Sequence, residues 1–129
     1  MPEVLRLPTE PIAPALARAS ITGVARDLPD VVLADLNLLL TEVVSNAVRH
    51  ARTAGAHEIV VSVDVGDDRV TVAVSDPGPG FDAGPGAYPD LAADSRDGGW
   101  GVFLLKRLAS DWGVGRDTGK TTVWFAIDR

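Results

Sequence analysis

One carboxylate and one carboxamide stand out as groups that could bind or transform a ligand. Glu42 and Asn46 lie four residues apart, and Arg49 and His50 follow, so a helix would place all four along one stripe. A glutamate can accept a proton, and an asparagine oxygen suits a hard cation such as Mg²⁺, which takes few protein oxygens alongside phosphate oxygens. Arg49 could contact such a phosphate. The stripe alone is equally compatible with the solvated margin of an amphipathic helix.

A second candidate group follows an apolar strand. Asp76 is succeeded by Gly78 and Gly80. A buried acid at this point can present one carboxylate to a ligand, and glycines let the backbone approach the ligand closely. A simple Asp-Pro-Gly turn is the alternative. Pro79 disfavours the helix that a dinucleotide-binding fingerprint requires, so the spacing does not indicate a Rossmann site.

A third candidate group is the glycine-rich run Gly98-Gly99-Trp100-Gly101-Val102 at the predicted start of a helix. Free backbone amides and the positive end of the helix dipole make such a position an anion site. Glycines that merely end a loop would explain one or two of these residues, whereas three within four positions favour a backbone wrapped around phosphate. The preceding segment, residues 81–99, contains many prolines and glycines, and we interpret it as a lid.

The elements that must position these groups follow from hydrophobic periodicity. The last hairpin has its turn at Gly115 to Gly119, and Asp30 is the expected N-cap of the long second helix. The predicted elements are a strand at 4–7, helices at 11–28 and 31–51, a hairpin at 58–65 and 69–75, a helix at 100–110 and a strand at 121–127. This order predicts an α/β (α+β) two-layer sandwich, with a mixed, mostly antiparallel sheet and helices on one face.

Length and charge narrow the class of protein. A chain of 129 residues is expected to form one domain around one core. A net charge of −6 argues against a nucleic-acid partner, which normally meets a basic surface. There is no cysteine, and His50 has no second histidine at metal-ligand spacing, so a thiolate or transition-metal site is not expected. No run of about twenty apolar residues is present, so we expect no membrane span and a cytoplasmic protein.

Together these groups resemble the GHKL ATP-binding family of gyrase, MutL and histidine kinases, which has the Bergerat fold. Within it, the chain is most similar to the small bacterial anti-sigma-factor serine kinases. The resemblance covers nearly the whole chain. Residues 42–50 resemble the N box, residues 76–81 the first glycine box, residues 98–102 the second, and residues 119–124 the final threonine-bearing strand.

The resemblance implies roles for individual residues. Asn46 would coordinate a Mg²⁺ that bridges the phosphates of ATP, and Glu42 would be the general base. Asp76 would accept a hydrogen bond from the adenine amino group. The other residues implied to bind the nucleotide are Arg49, His50, Gly78, Gly80, Gly99, Gly101, Val102 and Thr121. Where relatives carry a basic residue directly before the second glycine box, this chain has Asp97, so either Arg96 or Arg49 could neutralise the transferring phosphate.

The resemblance also implies a function and partners. The expected activity is Mg-ATP-dependent phosphorylation, on serine or threonine, of an anti-sigma-factor antagonist. A sigma factor is the second expected partner, and a homodimer is expected by analogy. The alternative is a binding module in which nucleotide regulates a partner without phosphoryl transfer.

Overall fold

The computed structural model of the chain describes residues 3–76, 101–117 and 120–129. These ranges contain three helices and five strands. In chain order they are β1 (Glu3–Pro8), α1 (Ala13–Val24), α2 (Asp30–Thr53), β2 (Glu58–Val65), β3 (Arg69–Asp76), α3 (Gly101–Leu108), β4 (Asp111–Asp117) and β5 (Lys120–Asp128).

The five strands form one sheet in the order β1-β2-β3-β5-β4. Each neighbouring pair is antiparallel, so the described sheet is antiparallel rather than mixed. Successive residues of a strand point to opposite faces. One face is consequently apolar: Ile59, Val61 and Val63 of β2 are buried, as are the even-numbered residues of β3 from Val70 to Val74.

The helices cover this apolar face. α2 contacts α1, α3 and the strands β2, β3 and β5. Its side facing the sheet includes Leu36, Leu40, Val43 and Ala47, all almost completely buried. α2 is long and apolar enough to cross a membrane by length and composition, but half of its most apolar window is buried inside this fold. The core helix of a folded protein meets the same criteria of length and hydropathy. The packing of the helices on the sheet confirms the two-layer α/β arrangement predicted from the sequence.

Three predicted boundaries were wrong in detail. Asp30 is the first residue of α2 rather than its N-cap; Pro29 occupies the cap with extended backbone. α1 begins at Ala13 and ends at Val24, short of the predicted 28, and Pro14 lies in its first turn, where proline is tolerated. Gly115 lies inside β4, paired with Thr122, because the strand continues to Asp117.

The opposite face of the sheet carries a hydroxyl pair and a tryptophan. The Ser75 and Thr122 hydroxyls are 2.9 Å apart there and share a hydrogen bond. The Trp124 indole lies over Gly113, since a Cβ added to Gly113 would stand 2.7 Å from Trp124 Nε1. A glycine on β4 therefore leaves the space that the tryptophan of β5 fills.

Two contacts fix the start of α1 beside the end of α2. Thr9 donates its backbone N–H to the His57 carbonyl at 3.2 Å and its hydroxyl to the Ala56 carbonyl at 3.1 Å. Gly55 takes a φ of 81°, a left-handed conformation that glycine adopts without strain, and this ends α2 and starts the chain towards β2. The segment between β1 and α1 is thereby held against the last turns of α2.

Candidate functional site

The predicted N-box residues lie on the second half of α2, and Asn46 is the most deeply buried polar residue among them. Its side chain is 1% exposed. The Asn46 Oδ1 atom accepts a hydrogen bond from Arg49 Nη2, one turn later on the same helix. The Asn46 Nδ2 atom is buried and has no hydrogen-bond partner among the described residues. An unpaired buried donor costs free energy, and a ligand that accepts a hydrogen bond would remove that cost.

Glu42 lies one turn before Asn46 and is half-buried. Burial raises the pKa of the Glu42 carboxyl above its ordinary value of 4.5, because desolvation disfavours the charged form; the positive charge of Arg49 acts in the opposite direction and is the smaller effect. A carboxylate with a raised pKa is a better proton acceptor than an ordinary surface glutamate. This property fits the predicted role of general base.

Asp76 occupies the far end of β3 and is 9% exposed. In the sheet register it lies directly opposite Thr121 of β5, so the two residues predicted to contact adenine are cross-strand neighbours. Thr122 points to the other face, where it bonds Ser75, in agreement with the expectation from strand alternation. Asp76 and His50 both already take part in interactions within the protein.

The predicted groups that the structure describes lie on α2 or on elements that contact it. This helix contacts β3, which carries Asp76, β5, which carries Thr121, and α3, whose first residues are Gly101 and Val102. Gly78, Gly80, Gly99 and the predicted lid at 81–99 lie outside the described residues, as do Asp97 and Arg96. Their predicted roles, like the nucleotide contacts of all the residues above, remain predictions.

Sequence reasoning missed a cavity that Arg49 also lines. It has a volume of about 260 Å³ and lies between the start of α1 and the outer surface of α2. The lining residues are Glu10, Pro11, Pro14, Ser45, Val48, Arg49 and Arg52. The spacing of Ser45, Arg49 and Arg52 does place them on one helix stripe, but no sequence pattern shows that the residues before α1 pack against that stripe.

Comparison with known proteins identifies the family and agrees with the fold. A profile described as the histidine kinase-like ATPase domain matches residues 7–127. The serine-protein kinase RsbW of Listeria innocua is 32% identical over 129 aligned positions, covering 92% of this chain and 82% of the relative. The serine-protein kinase RsbW of Bacillus licheniformis is 30% identical, over 91% of this chain and 79% of the relative. The match extends from β1 to β5 and includes every described site residue, and this chain therefore belongs to the histidine kinase-like ATPase domain family.

Proposed function

We propose that this chain is a Mg-ATP-dependent serine/threonine protein kinase of the anti-sigma-factor type, which phosphorylates an anti-sigma-factor antagonist. The observation that carries the proposal is the buried Asn46 side-chain amide, one helical turn from a half-buried glutamate whose pKa is raised. The relatives named serine-protein kinase support the choice of serine as the acceptor.

The described residues fit a Mg²⁺ ion that is held together with phosphates. Within residues 3–76, 101–117 and 120–129 there is no group of three histidine, cysteine or acidic side chains that could hold a metal. Mg²⁺ commonly takes only one or two protein oxygens and completes its shell with water and phosphate oxygens. Asn46 Oδ1 supplies one such oxygen once Arg49 moves. When bound, the ion would neutralise charge on the phosphate oxygens.

The protein's own residues account for proton movement and charge in the transfer step. Glu42 accepts the proton of the acceptor hydroxyl while that oxygen forms a bond to the γ-phosphorus. The bond from the γ-phosphorus to the oxygen that bridges the β- and γ-phosphates breaks, and ADP leaves with that electron pair. Either Arg96 or Arg49 would stabilise charge on the phosphate oxygens in this step.

Asp76 supports the choice of adenine as the base. A carboxylate at the buried end of β3 accepts a hydrogen bond from the adenine amino group, whereas guanine presents a carbonyl oxygen at that edge and would be repelled. Thr121, directly opposite Asp76, supplies a hydroxyl at the same position of the sheet. We also propose that the protein is cytoplasmic and that a sigma factor is its second partner. The family resemblance further supports a homodimer.

Incubation with labelled ATP and the candidate antagonist tests the proposal. The Glu42→Gln variant should bind Mg-ATP but lose phosphoryl transfer by about 10²- to 10⁴-fold, as expected for removal of a general base. Glu3→Gln, which neutralises an exposed glutamate on β1, is the matched control and should transfer normally. Mg-ATP binding without conversion of nucleotide with any partner would instead support the binding module. Equal labelling by both variants would remove Glu42 from the role assigned.

A further inference from the structure

The cavity between α1 and α2 adjoins the predicted nucleotide site and shares Arg49 with it. Asn46, Glu42 and Asp76 are not among its lining residues, and its volume of about 260 Å³ lies below the range of about 300–1,000 Å³ typical of pockets for whole small molecules. It is large enough for one or two side chains of another protein. Arg49 lines this cavity and also bonds Asn46, so it stands between the two places.

Polar groups around the cavity are available for a partner. The exposed Arg52 side chain forms no hydrogen bond or ion pair with any described residue. Three threonines on α1 and α2 donate their hydroxyls to the carbonyl four residues earlier, but within the described ranges Ser45 makes no such bond. A free hydroxyl and an uncommitted guanidinium near a second guanidinium make a site for a carboxylate, which accepts from all three.

The remaining walls indicate that the carboxylate belongs to a protein. Pro11, Pro14 and Val48 give the cavity apolar sides, which would contact the methylene or backbone groups next to an acidic side chain. Glu10, which is exposed, also lines the cavity. Arg49, Arg52 and Glu10 together give the cavity lining a net charge of +1, whereas the whole chain carries −6. A single carboxylate matches this balance better than a highly charged polyphosphate does.

On the basis of the proposed function, we propose that this cavity docks an acidic segment of the protein substrate, with a carboxylate between Arg49 and Arg52. The docked carboxylate competes with Asn46 Oδ1 for the Arg49 guanidinium, which lines the cavity and already donates a hydrogen bond to that oxygen. Docking therefore releases the Asn46 oxygen for the metal, and Mg-ATP binding releases Arg49 for the substrate. By thermodynamic linkage each ligand then increases the affinity of the other by the same factor.

Fluorescence anisotropy with a labelled ten-residue peptide of glutamate and serine tests the proposal on the full chain, with a glutamine-for-glutamate peptide as control. Arg52→Gln should weaken binding of the acidic peptide about tenfold, in line with the loss of one charge-assisted contact. Glu10→Gln should tighten it about two- to threefold, because a repulsive charge is removed. Arg26→Gln, which neutralises an exposed arginine in the turn after α1, is the matched control and should leave the affinity unchanged.

Separate titrations distinguish this proposal from the proposed function. Saturating Mg-ATP should increase the peptide affinity of the wild type several-fold, the linkage expected if Arg49 is shared. The docking site is refuted if both peptides bind equally, if Arg52→Gln and Glu10→Gln shift the affinity in the same direction, or if Arg52→Gln weakens Mg-ATP as much as peptide. Displacement of the peptide by millimolar inorganic phosphate would also refute it, because the cavity would then be a general anion site. Failure of the wild type to bind Mg-ATP refutes the proposed function instead.

Discussion

Replacing Asn46 with leucine should make the nucleotide-free protein more stable and abolish Mg-ATP binding. The side chain is 1% exposed and its Nδ2 atom has no described partner, and a buried unpaired donor costs about 1–3 kcal/mol. Leucine has a similar shape and removes that cost. The variant loses the hydrogen bond from Arg49 to Oδ1, but Arg49 is exposed and water can solvate it instead. The net gain in the free energy of unfolding should be about 1–2 kcal/mol.

Thermal unfolding without nucleotide, followed by circular dichroism, measures the stability change. For a domain of this size a gain of that magnitude corresponds to a Tm higher by about 5 °C. Isothermal titration calorimetry with Mg-ATP then measures binding, which should be lost in the same variant. Such opposite effects on stability and binding are expected where a binding group is retained at a cost to the fold.

Asn37→Leu provides the matched control. Asn37 lies on the same helix, and its Oδ1 atom is also buried without a described partner. This variant should keep Mg-ATP binding, because Asn37 is outside the predicted site. If Asn46→Leu instead lowers the free energy of unfolding by more than about 1 kcal/mol in the absence of nucleotide, the Asn46 amide is satisfied by the fold and the inference of a ligand-binding group fails.

Three further predictions concern Glu42, Gly113 and Ile21. Burial raises the pKa of Glu42 above 4.5, so the folded state binds this proton more tightly than the unfolded state does. The free energy of unfolding should therefore fall as pH rises from the unfolded-state pKa of Glu42 to its folded-state pKa, while phosphoryl transfer should rise over the same range. Glu42→Gln should remove both dependences. Gly113→Ala should lower the free energy of unfolding by about 1–3 kcal/mol and shift the Trp124 fluorescence, because the added Cβ would clash with the indole. A Cβ added at Gly115 meets nothing within 4 Å, so Gly115→Ala should change neither quantity. Ile21→Ala, at a position 0% exposed, should cost about 2–5 kcal/mol in urea unfolding.

The sequence predicted the elements well because local pattern determines them. The alternation of valines in β2 and β3 predicted both the hairpin and the face that Ile59 and Val61 bury, and the four N-box side chains were correctly assigned to one helix. The start of the last turn was predicted three residues early, at Gly115, although pairing with Thr122 keeps Gly115 in β4, which continues to Asp117. The preference of glycine for turns is a local signal, whereas strand pairing depends on both strands of the ladder.

Side-chain partners could not be predicted in the same way. Sequence spacing placed Glu42 and Asn46 on one helix stripe, but the burial of Asn46 and its bond from Arg49 depend on how α2 packs against its neighbours. The cavity beside Arg52 depends on Thr9, which holds the start of α1 to the end of α2 across 47 residues of sequence. Long-range contacts of this kind leave no periodic signal.

The position of β5 in the sheet has a consequence for synthesis on the ribosome. β5 follows every other described strand in the chain, yet it lies between β3 and β4 in the sheet. A nascent chain that has emerged only as far as β3 exposes the unpaired edge of that strand, with Val70 and Val72 beside it, and has no Thr121 opposite Asp76. The β3 edge and the valines beside it therefore stay open to pairing with other chains until β5 has left the exit tunnel.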